Sequence, residues 1–126
     1  MDKPHRKLEV WRVSMDTTIL IYELTKQFPD DEKYGLTSQM RRAAVSIPSN
    51  IAEGAARRTS GDFGRFLTIS IASLAELDTQ LELAVRLKYC TEVDAMRIDD
   101  MLASVSRMLI ALRRSLGNDR PDTTQN

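Results

Sequence analysis

Arginine is the residue type with the clearest chemical potential in this chain, since five arginines fall between residues 36 and 66. A guanidinium group presents a rigid, planar fork of N–H donors that matches a carboxylate or a phosphate, whereas a lysine ammonium is a point charge. No lysine occurs in the same stretch. The pattern therefore predicts a surface that binds anions or nucleic acid, formed by Arg41, Arg42, Arg57, Arg58 and Arg65.

The same stretch allows two other interpretations. Glu53 and Arg57 have the i,i+4 spacing of an exposed ion pair, and cations are favourable at a helix C-terminus, so an ordinary solvated face explains part of the pattern. It does not explain the small residues between the arginines, which let another helix approach closely, within the chain or from a second copy. The sequence therefore also predicts an oligomer interface formed by Ser46, Pro48, Ser49, Asn50, Glu53 and Gly54.

Residues suited to metal binding or nucleophilic catalysis are sparse. His5 is the sole histidine and Cys90 the sole cysteine, and the Glu-x-x-His pairs of di-iron bundles do not occur. No phosphate-binding loop or zinc-protease motif is present either. The sequence predicts no catalytic residue, no metal site and no cofactor. A third hypothesis, an enzyme that uses Glu53 and the arginines on an anionic substrate, requires a concave polar pocket around them.

Two amphipathic helices are predicted in the first half of the chain. The first runs from about Leu8 to Phe28, because apolar residues recur there at steps of three and four. Its predicted core stripe is Leu8, Trp11, Met15, Ile19 and Tyr22. The second runs from a cap at Thr37 or Ser38 to about Arg58 and continues through Pro48 with a kink. Its predicted core seam is Met40, Ala44, Ile47, Ile51 and Ala55.

Two longer helices complete the pattern. The third begins with Thr59 or Ser60 as cap and extends to about Lys88, and the fourth follows Thr91 and stops at Gly117. Short connections and the absence of strand periodicity predict an all-α, up-down four-helix bundle with a kinked second helix. The predicted bundle domain covers residues 1–117. Residues 118–126 contain no aliphatic or aromatic side chain and are predicted to be a disordered tail.

Composition and charge narrow the function further. The 126 residues have a net charge of zero, which argues against a generic nucleic-acid coat or a cationic membrane binder. The charges nevertheless form blocks: residues 36–66 hold five arginines against two acids, and residues 76–100 hold seven acids against three bases. This uneven distribution of charge along the sequence suits self-association or a localised anion site, and chance can also produce it. Without a membrane-length apolar run or a signal-peptide pattern, a cytoplasmic protein with no membrane partner is expected.

The segment around the arginines also resembles a known family. The most specific run is Arg41-Arg42-Ala43-Ala44-Val45-Ser46-Ile47-Pro48-Ser49-Asn50-Ile51-Ala52-Glu53-Gly54, supported by Leu8-Glu9-Val10-Trp11, by residues 32–39 and by Ser73-Leu74-Ala75-Glu76-Leu77. In these residues the chain resembles a bacterial four-helix-bundle family whose members include proteins encoded in intervening sequences of large-subunit ribosomal RNA genes. It is more distantly similar to the accessory protein of diversity-generating retroelements.

The resemblance implies a ring-like homo-oligomer, a pentamer, with no established catalytic activity. It also implies RNA or DNA binding through a basic surface, although this chain lacks the positive net charge of basic relatives. We therefore expect a non-enzymatic homo-oligomeric scaffold of unknown cellular role, with RNA or DNA binding through the arginine face as an added expectation. The alternative is a dedicated nucleic-acid-binding accessory protein that acts with a partner enzyme such as a reverse transcriptase.

Overall fold

Four long α-helices dominate residues 3–118, the part of the chain that this computed structural model describes. They are α1 (Glu9–Thr25), α2 (Leu36–Ala55), α3 (Ser60–Arg86) and α4 (Glu92–Asn118). Short 3₁₀ turns at Pro4–Lys7 and Asp30–Glu32 precede α1 and α2, and no strand occurs within residues 3–118. The predicted all-α four-helix bundle is confirmed. Apart from the last residue of α4, the predicted tail lies outside the described residues.

Each helix packs antiparallel against the next, and α4 packs back against α1, so the four helices form a closed square. The contact between α2 and α3 is the most extensive. We call the end that carries the α1–α2 and α3–α4 connections the top of the bundle. The other end, with the α2–α3 connection and the N-terminal turn, is the bottom. This arrangement places residues from distant parts of the sequence at each end.

The buried face of α1 differs from the predicted core stripe. The helix buries Val10, Ser14, Thr17, Ile21 and Leu24 against the other helices. The predicted stripe is wrong: Met15, Ile19 and Tyr22 are exposed, and Leu8 and Trp11 are only partly buried. Burial of the hydroxyl-bearing face is possible because each hydroxyl is satisfied within its own helix. Ser14 Oγ donates to the Trp11 carbonyl at 2.8 Å and Thr17 Oγ1 donates to the Val13 carbonyl at 2.8 Å.

The helix starts depend on three side-chain contacts. Thr59 Oγ1 accepts from the Asp62 amide at 3.1 Å, as predicted for α3, and Thr91 Oγ1 accepts from the Asp94 amide at 3.1 Å in α4. The predicted cap of α2 by Thr37 or Ser38 is wrong. Glu32 Oε1 instead accepts from the Leu36 amide at 2.9 Å, because the preceding turn brings that carboxylate over the helix start.

Glu32 also connects the two loops at the top of the bundle. The Tyr89 hydroxyl donates to Glu32 Oε2 at 2.7 Å. The Leu36 amide first, and then the Tyr89 hydroxyl, lower the pKa of the Glu32 carboxyl below its ordinary value. One carboxylate therefore starts α2 and holds the α3–α4 connection beside it.

Helix α2 follows its predicted seam. Met40, Ala44, Ile47 and Ile51 are buried, and Ala55 is half-buried. The helix continues through Pro48, as predicted from the two sorted faces. The kink at this proline stays a prediction. Because the seam faces α1 and α3, Arg42, Ser49 and Glu53 lie on the exposed side of α2.

Candidate functional site: the arginine surfaces and the proline segment

Pro48 is accommodated by a hydrogen bond from another helix. Proline has no N–H, so the carbonyl of Ala44 loses the donor that it would have in a regular helix. The Thr18 hydroxyl of α1 lies 3.1 Å from that oxygen and 2.8 Å from the carbonyl of Ser14. Both carbonyls share the hydroxyl hydrogen, which keeps a buried acceptor satisfied. The proline is thus part of the packing between α1 and α2.

The small polar residues beside Pro48 are also used within the chain. Ser46 Oγ lies 2.8 Å from Ser73 Oγ of α3, and Asn50 Nδ2 donates to the Ser46 carbonyl at 2.8 Å. Ser70 Oγ of α3 donates to the carbonyl of Ile47 at 2.9 Å. The bonds of Ser73 and Ser70 connect the middle of α2 to α3, and the bond of Asn50 lies within α2. Together they explain why short polar side chains occur there.

Gly54 lets the end of α2 close onto the start of α3. A Cβ atom at this position would lie 2.8 Å from Phe66 Cβ and 2.9 Å from Phe63 Cδ1, closer than carbon atoms approach without displacement. Pro48 and Gly54 are both buried, whereas Ser49 and Glu53 are exposed. Packing within one chain therefore accounts for Pro48 and Gly54, and an interface role for the other predicted residues stays a prediction.

The five arginines do not form one surface. Arg41 and Arg42 lie near the start of α2 at the top, while Arg57, Arg58 and Arg65 surround the α2–α3 connection at the bottom. A rise of 1.5 Å per residue separates Arg41 from Arg57 by about 24 Å along the axis. The two groups must therefore be considered separately.

Arg41 connects α2 to α1. Its Nε atom donates to Thr25 Oγ1 at 2.8 Å, and its guanidinium carbon lies 4.6 Å from the centre of the Tyr22 ring. Arg42 is exposed beside it. Together they line an open groove, the α1–α2 groove, which also contains Tyr22, Lys33, Tyr34 and Val45. The upper arginines thus form a basic and partly aromatic groove.

The lower arginines surround an aromatic ring. The guanidinium carbons of Arg57 and Arg65 lie 4.8 Å and 5.8 Å from the centre of the Phe66 ring. Arg57 also pairs with Glu53 at 2.7 Å, and Arg65 pairs with Asp62 at 3.3 Å, both on the surface. Arg58 is exposed at the connection. Arg57 and Arg58 line an open groove together with Ala56, Thr59 and Asp62. Glu53, which the enzyme hypothesis also requires, is exposed on α2 and is not among the lining residues.

The antiparallel fold adds basic residues to this bottom group. With each helix divided at its midpoint, the bottom half comprises residues 3–17, 46–73 and 105–118 and holds ten basic against four acidic side chains. The top half, residues 18–45 and 74–104, holds seven basic against eleven acidic side chains. The basic residues of the bottom half are Lys3, Arg6, Lys7, Arg12, Arg57, Arg58, Arg65, Arg107, Arg113 and Arg114. The described chain is therefore polarised along the bundle axis.

Several members of this basic end were not singled out by sequence reasoning. Arg6, Lys7 and Arg12 lie far from the arginine stretch in sequence, and only the antiparallel fold brings them to the same end. The fold also brings in Arg113, whose guanidinium donates to Thr68 Oγ1 of α3 at 3.3 Å. The basic character of residues 101–120 was the available signal for this contribution.

A sequence profile described as "23S rRNA-intervening sequence protein" matches residues 6–111. The chain belongs to this family. The family resemblance inferred from the proline segment is confirmed. No curated protein sequence matches the chain significantly.

A solved structure supports the same fold for this member of the 23S rRNA-intervening sequence protein family. It is a protein of unknown function from the S23 ribosomal protein family of Bacteroides thetaiotaomicron VPI-5482, determined at 1.70 Å resolution. The similarity has a TM-score of 0.75 at 23% identity and covers 82% of this chain and 97% of the other. At this identity the likeness establishes the fold alone.

A second groove of this family member lies between α3 and α4 at the top. Its lining includes Asp78, Glu82, Glu92 and Asp99, together with apolar Leu81, Val85, Ala95 and Met96. Partial burial, and then the charge of Asp99 and a hydrogen bond with it, raise the pKa of the Asp78 carboxyl. Within the described residues, no three His, Cys, Asp or Glu side chains are grouped so as to hold a metal ion. We call this feature the α3–α4 groove.

Among residues 3–118 of this family member, no helix combines the length and apolar character needed to span a bilayer.

Proposed function

We propose that this protein is a non-enzymatic scaffold that assembles from copies of its own chain and binds RNA or DNA at its basic end. The proposal of assembly rests on an exposed apolar stripe of α1. Met15, Ile19 and Tyr22 follow one another at helical spacing, and all three expose more than a third of their surface to solvent. Val45 of α2, also exposed, lines the groove beside Tyr22. A continuous apolar stripe is a common feature of interaction surfaces, whereas single exposed apolar residues are ordinary.

A second copy of the chain is the occupant that we propose for this stripe. Association would remove these side chains from water, at about 25 cal/mol for each Å² of apolar surface. A ring of five subunits, as the family resemblance implies, is the specific form proposed.

Light scattering on the purified protein tests the assembly. We expect a mass several times that of the 14.3 kDa chain, and five times for the ring. Ile19→Glu should lower this mass, because it places a charge in the contact. The matched control is Ile69→Glu, which changes an exposed isoleucine of α3 in the same way and should leave the mass unchanged. A 14.3 kDa species at tens of micromolar wild-type protein would contradict the assembly proposal.

The separation of charge supports the nucleic-acid part of the proposal. The net charge of zero is unfavourable for a protein that binds nucleic acid over its whole surface. The bottom half nevertheless holds a surplus of six basic residues, ten against four. Arginines that contact phosphates release condensed counterions, so affinity should fall steeply with salt.

A pair of double variants with equal charge tests where nucleic acid binds. Arg58→Ala/Arg65→Ala should weaken binding of a fluorescent single-stranded RNA or DNA about tenfold or more at low salt, and each lost phosphate contact should reduce the salt slope by about one. Lys26→Ala/Arg97→Ala removes the same charge from exposed residues of the top half and should leave affinity within about twofold of wild type. Equal weakening by both variants would contradict a localised site. Undetectable binding by the wild-type protein at low salt would contradict nucleic-acid binding altogether.

A further inference from the structure

We infer that the two grooves at the top of the bundle bind one another between copies: the α1–α2 groove of one chain receives the α3–α4 groove of a second chain. This inference rests on the proposed assembly and specifies which surfaces form it. The two grooves differ from one another, so the contact is heterologous. After two copies pair, one retains a free α3–α4 groove and the other a free α1–α2 groove. Such contacts repeat and give a ring when the rotation between copies closes.

The α1–α2 groove combines apolar surface with charge of one sign. Lys33, Arg41 and Arg42 are the charged residues among those that line it. Arg41 is already bonded to Thr25 and stacked on Tyr22, which leaves Lys33 and Arg42 as the exposed charges. Tyr34, with 88% of its surface exposed, and Val45 supply apolar area beside them. This surface suits a partner that is apolar and acidic.

The α3–α4 groove has that complementary chemistry. Every charged residue that lines it is acidic, namely Asp78, Glu82, Glu92 and Asp99. Arg86 Nε lies 2.9 Å from Glu82 Oε2 and pairs with it. Asp78, Glu92 and Asp99 therefore carry the unmatched negative charge of the groove. The apolar part of the groove consists of Met96, which has 59% of its surface exposed, beside the more buried Leu81, Val85 and Ala95.

The Asp78 carboxyl of this groove is also repelled by neighbouring carboxylates. The raised pKa of Asp78 results from partial burial and from the neighbouring carboxyl of Asp99. A lysine or arginine from a second chain would relieve that repulsion and favour the ionised form. Complementary potential of this kind steers association and selects the partner surface.

The α1–α2 groove and the α3–α4 groove of one chain cannot contact each other. The closed square of helices places the α1–α2 and α3–α4 pairs on different sides of the bundle, with both grooves at the top. The two surfaces face away from one another, and the short connections between helices hold them there. A second copy can present its acidic groove to the basic groove of the first without any change in fold.

Charge reversal in each groove, followed by reversal in both, tests the contact. Lys33→Glu/Arg42→Glu reverses the basic groove, and Glu92→Lys/Asp99→Lys reverses the acidic groove. All four residues are exposed, so the fold should be retained, and far-UV circular dichroism and cooperative melting check that it is. Each double variant should raise the Kd of assembly about tenfold or more, because like charges then meet across the contact. The chain with all four substitutions should assemble again, since its grooves are complementary with the signs exchanged.

Mixing the two double variants gives a second readout. One variant then has two acidic grooves and the other two basic grooves, so light scattering should show complexes of at least two chains that neither variant forms alone. Failure of both the mixture and the fourfold variant to assemble would overturn the pairing of these two grooves. Wild-type mass in both double variants would also overturn it, while leaving the assembly proposal intact. A monomeric wild-type protein would instead overturn assembly itself, and RNA or DNA binding through Arg58 and Arg65 is measured independently of either result.

Discussion

Ile21→Ala is expected to lower the free energy of unfolding by about 2–5 kcal/mol, the usual range for truncation of a fully buried isoleucine. Ile21 has 0% of its surface exposed and lies in the core that α1 shares with the other helices. The substitution removes buried methyl and methylene groups and leaves a cavity that packed helices fill only in part. Urea denaturation followed by circular dichroism measures the effect, at one fixed protein concentration because assembly contributes to apparent stability.

Ile19→Ala is the matched control, with the same truncation two residues earlier in the same helix. Ile19 has 55% of its surface exposed, so its substitution should change the free energy of unfolding of the single chain by no more than about 0.5 kcal/mol. Its effect should appear in assembly instead. If Ile19→Ala were the more destabilising of the two in a monomeric background, the buried face of α1 would be the one predicted from the sequence.

Helix number and helix ends could be predicted because local chemistry determines them. Thr59 caps α3 through its own side chain, and the α3–α4 connection ends at Thr91, which caps α4. The start of α2 was missed because its first amide is satisfied by Glu32, a carboxylate four residues earlier in the preceding turn. Local sequence patterns identify a serine or threonine cap more readily than a glutamate that reaches the helix start from the preceding turn.

The buried face of α1 could not be predicted from hydrophobicity. Two stripes of this helix have helical spacing, and the more apolar one contains Met15, Ile19 and Tyr22. The structure buries the other stripe, because the hydroxyls of Ser14 and Thr17 bond to carbonyls of their own helix and add little bulk. Small satisfied hydroxyls allow the helices to approach, and the larger apolar side chains remain at the surface. The exposed stripe is now the surface on which we base assembly.

The arginines show a similar division between residue type and placement. Their number indicated an anion-binding surface, although the predicted extent of α2 already places Arg41 about 24 Å from Arg57 along the helix axis. Net charge could not show that acidic and basic residues collect at opposite ends, since this depends on which helix ends meet. The basic end therefore includes Arg6 and Arg113, which lie outside the arginine-rich residues 36–66.

Gly54→Ala is expected to lower the free energy of unfolding by about 1–3 kcal/mol, the cost of overpacking a filled contact. Alanine improves helix propensity by about 1 kcal/mol at a glycine position, so the expected sign depends on packing. The added Cβ would lie 2.8 Å from Phe66 Cβ and 3.3 Å from the carbonyl oxygen of Phe63, and neither atom can move without shifting the start of α3. Thermal or urea unfolding measures the change.

The same substitution at Gly117 should not destabilise the fold. No atom lies within 4 Å of a Cβ built there, so Gly117→Ala should leave stability unchanged or raise it by up to about 1 kcal/mol. The effect at Gly54 should also persist in the Ile19→Glu background, where we expect single chains, because the contact with α3 is internal. A loss that disappears in that background would show instead that Gly54 packs against a second copy, and would restore the interface role predicted for it from the sequence.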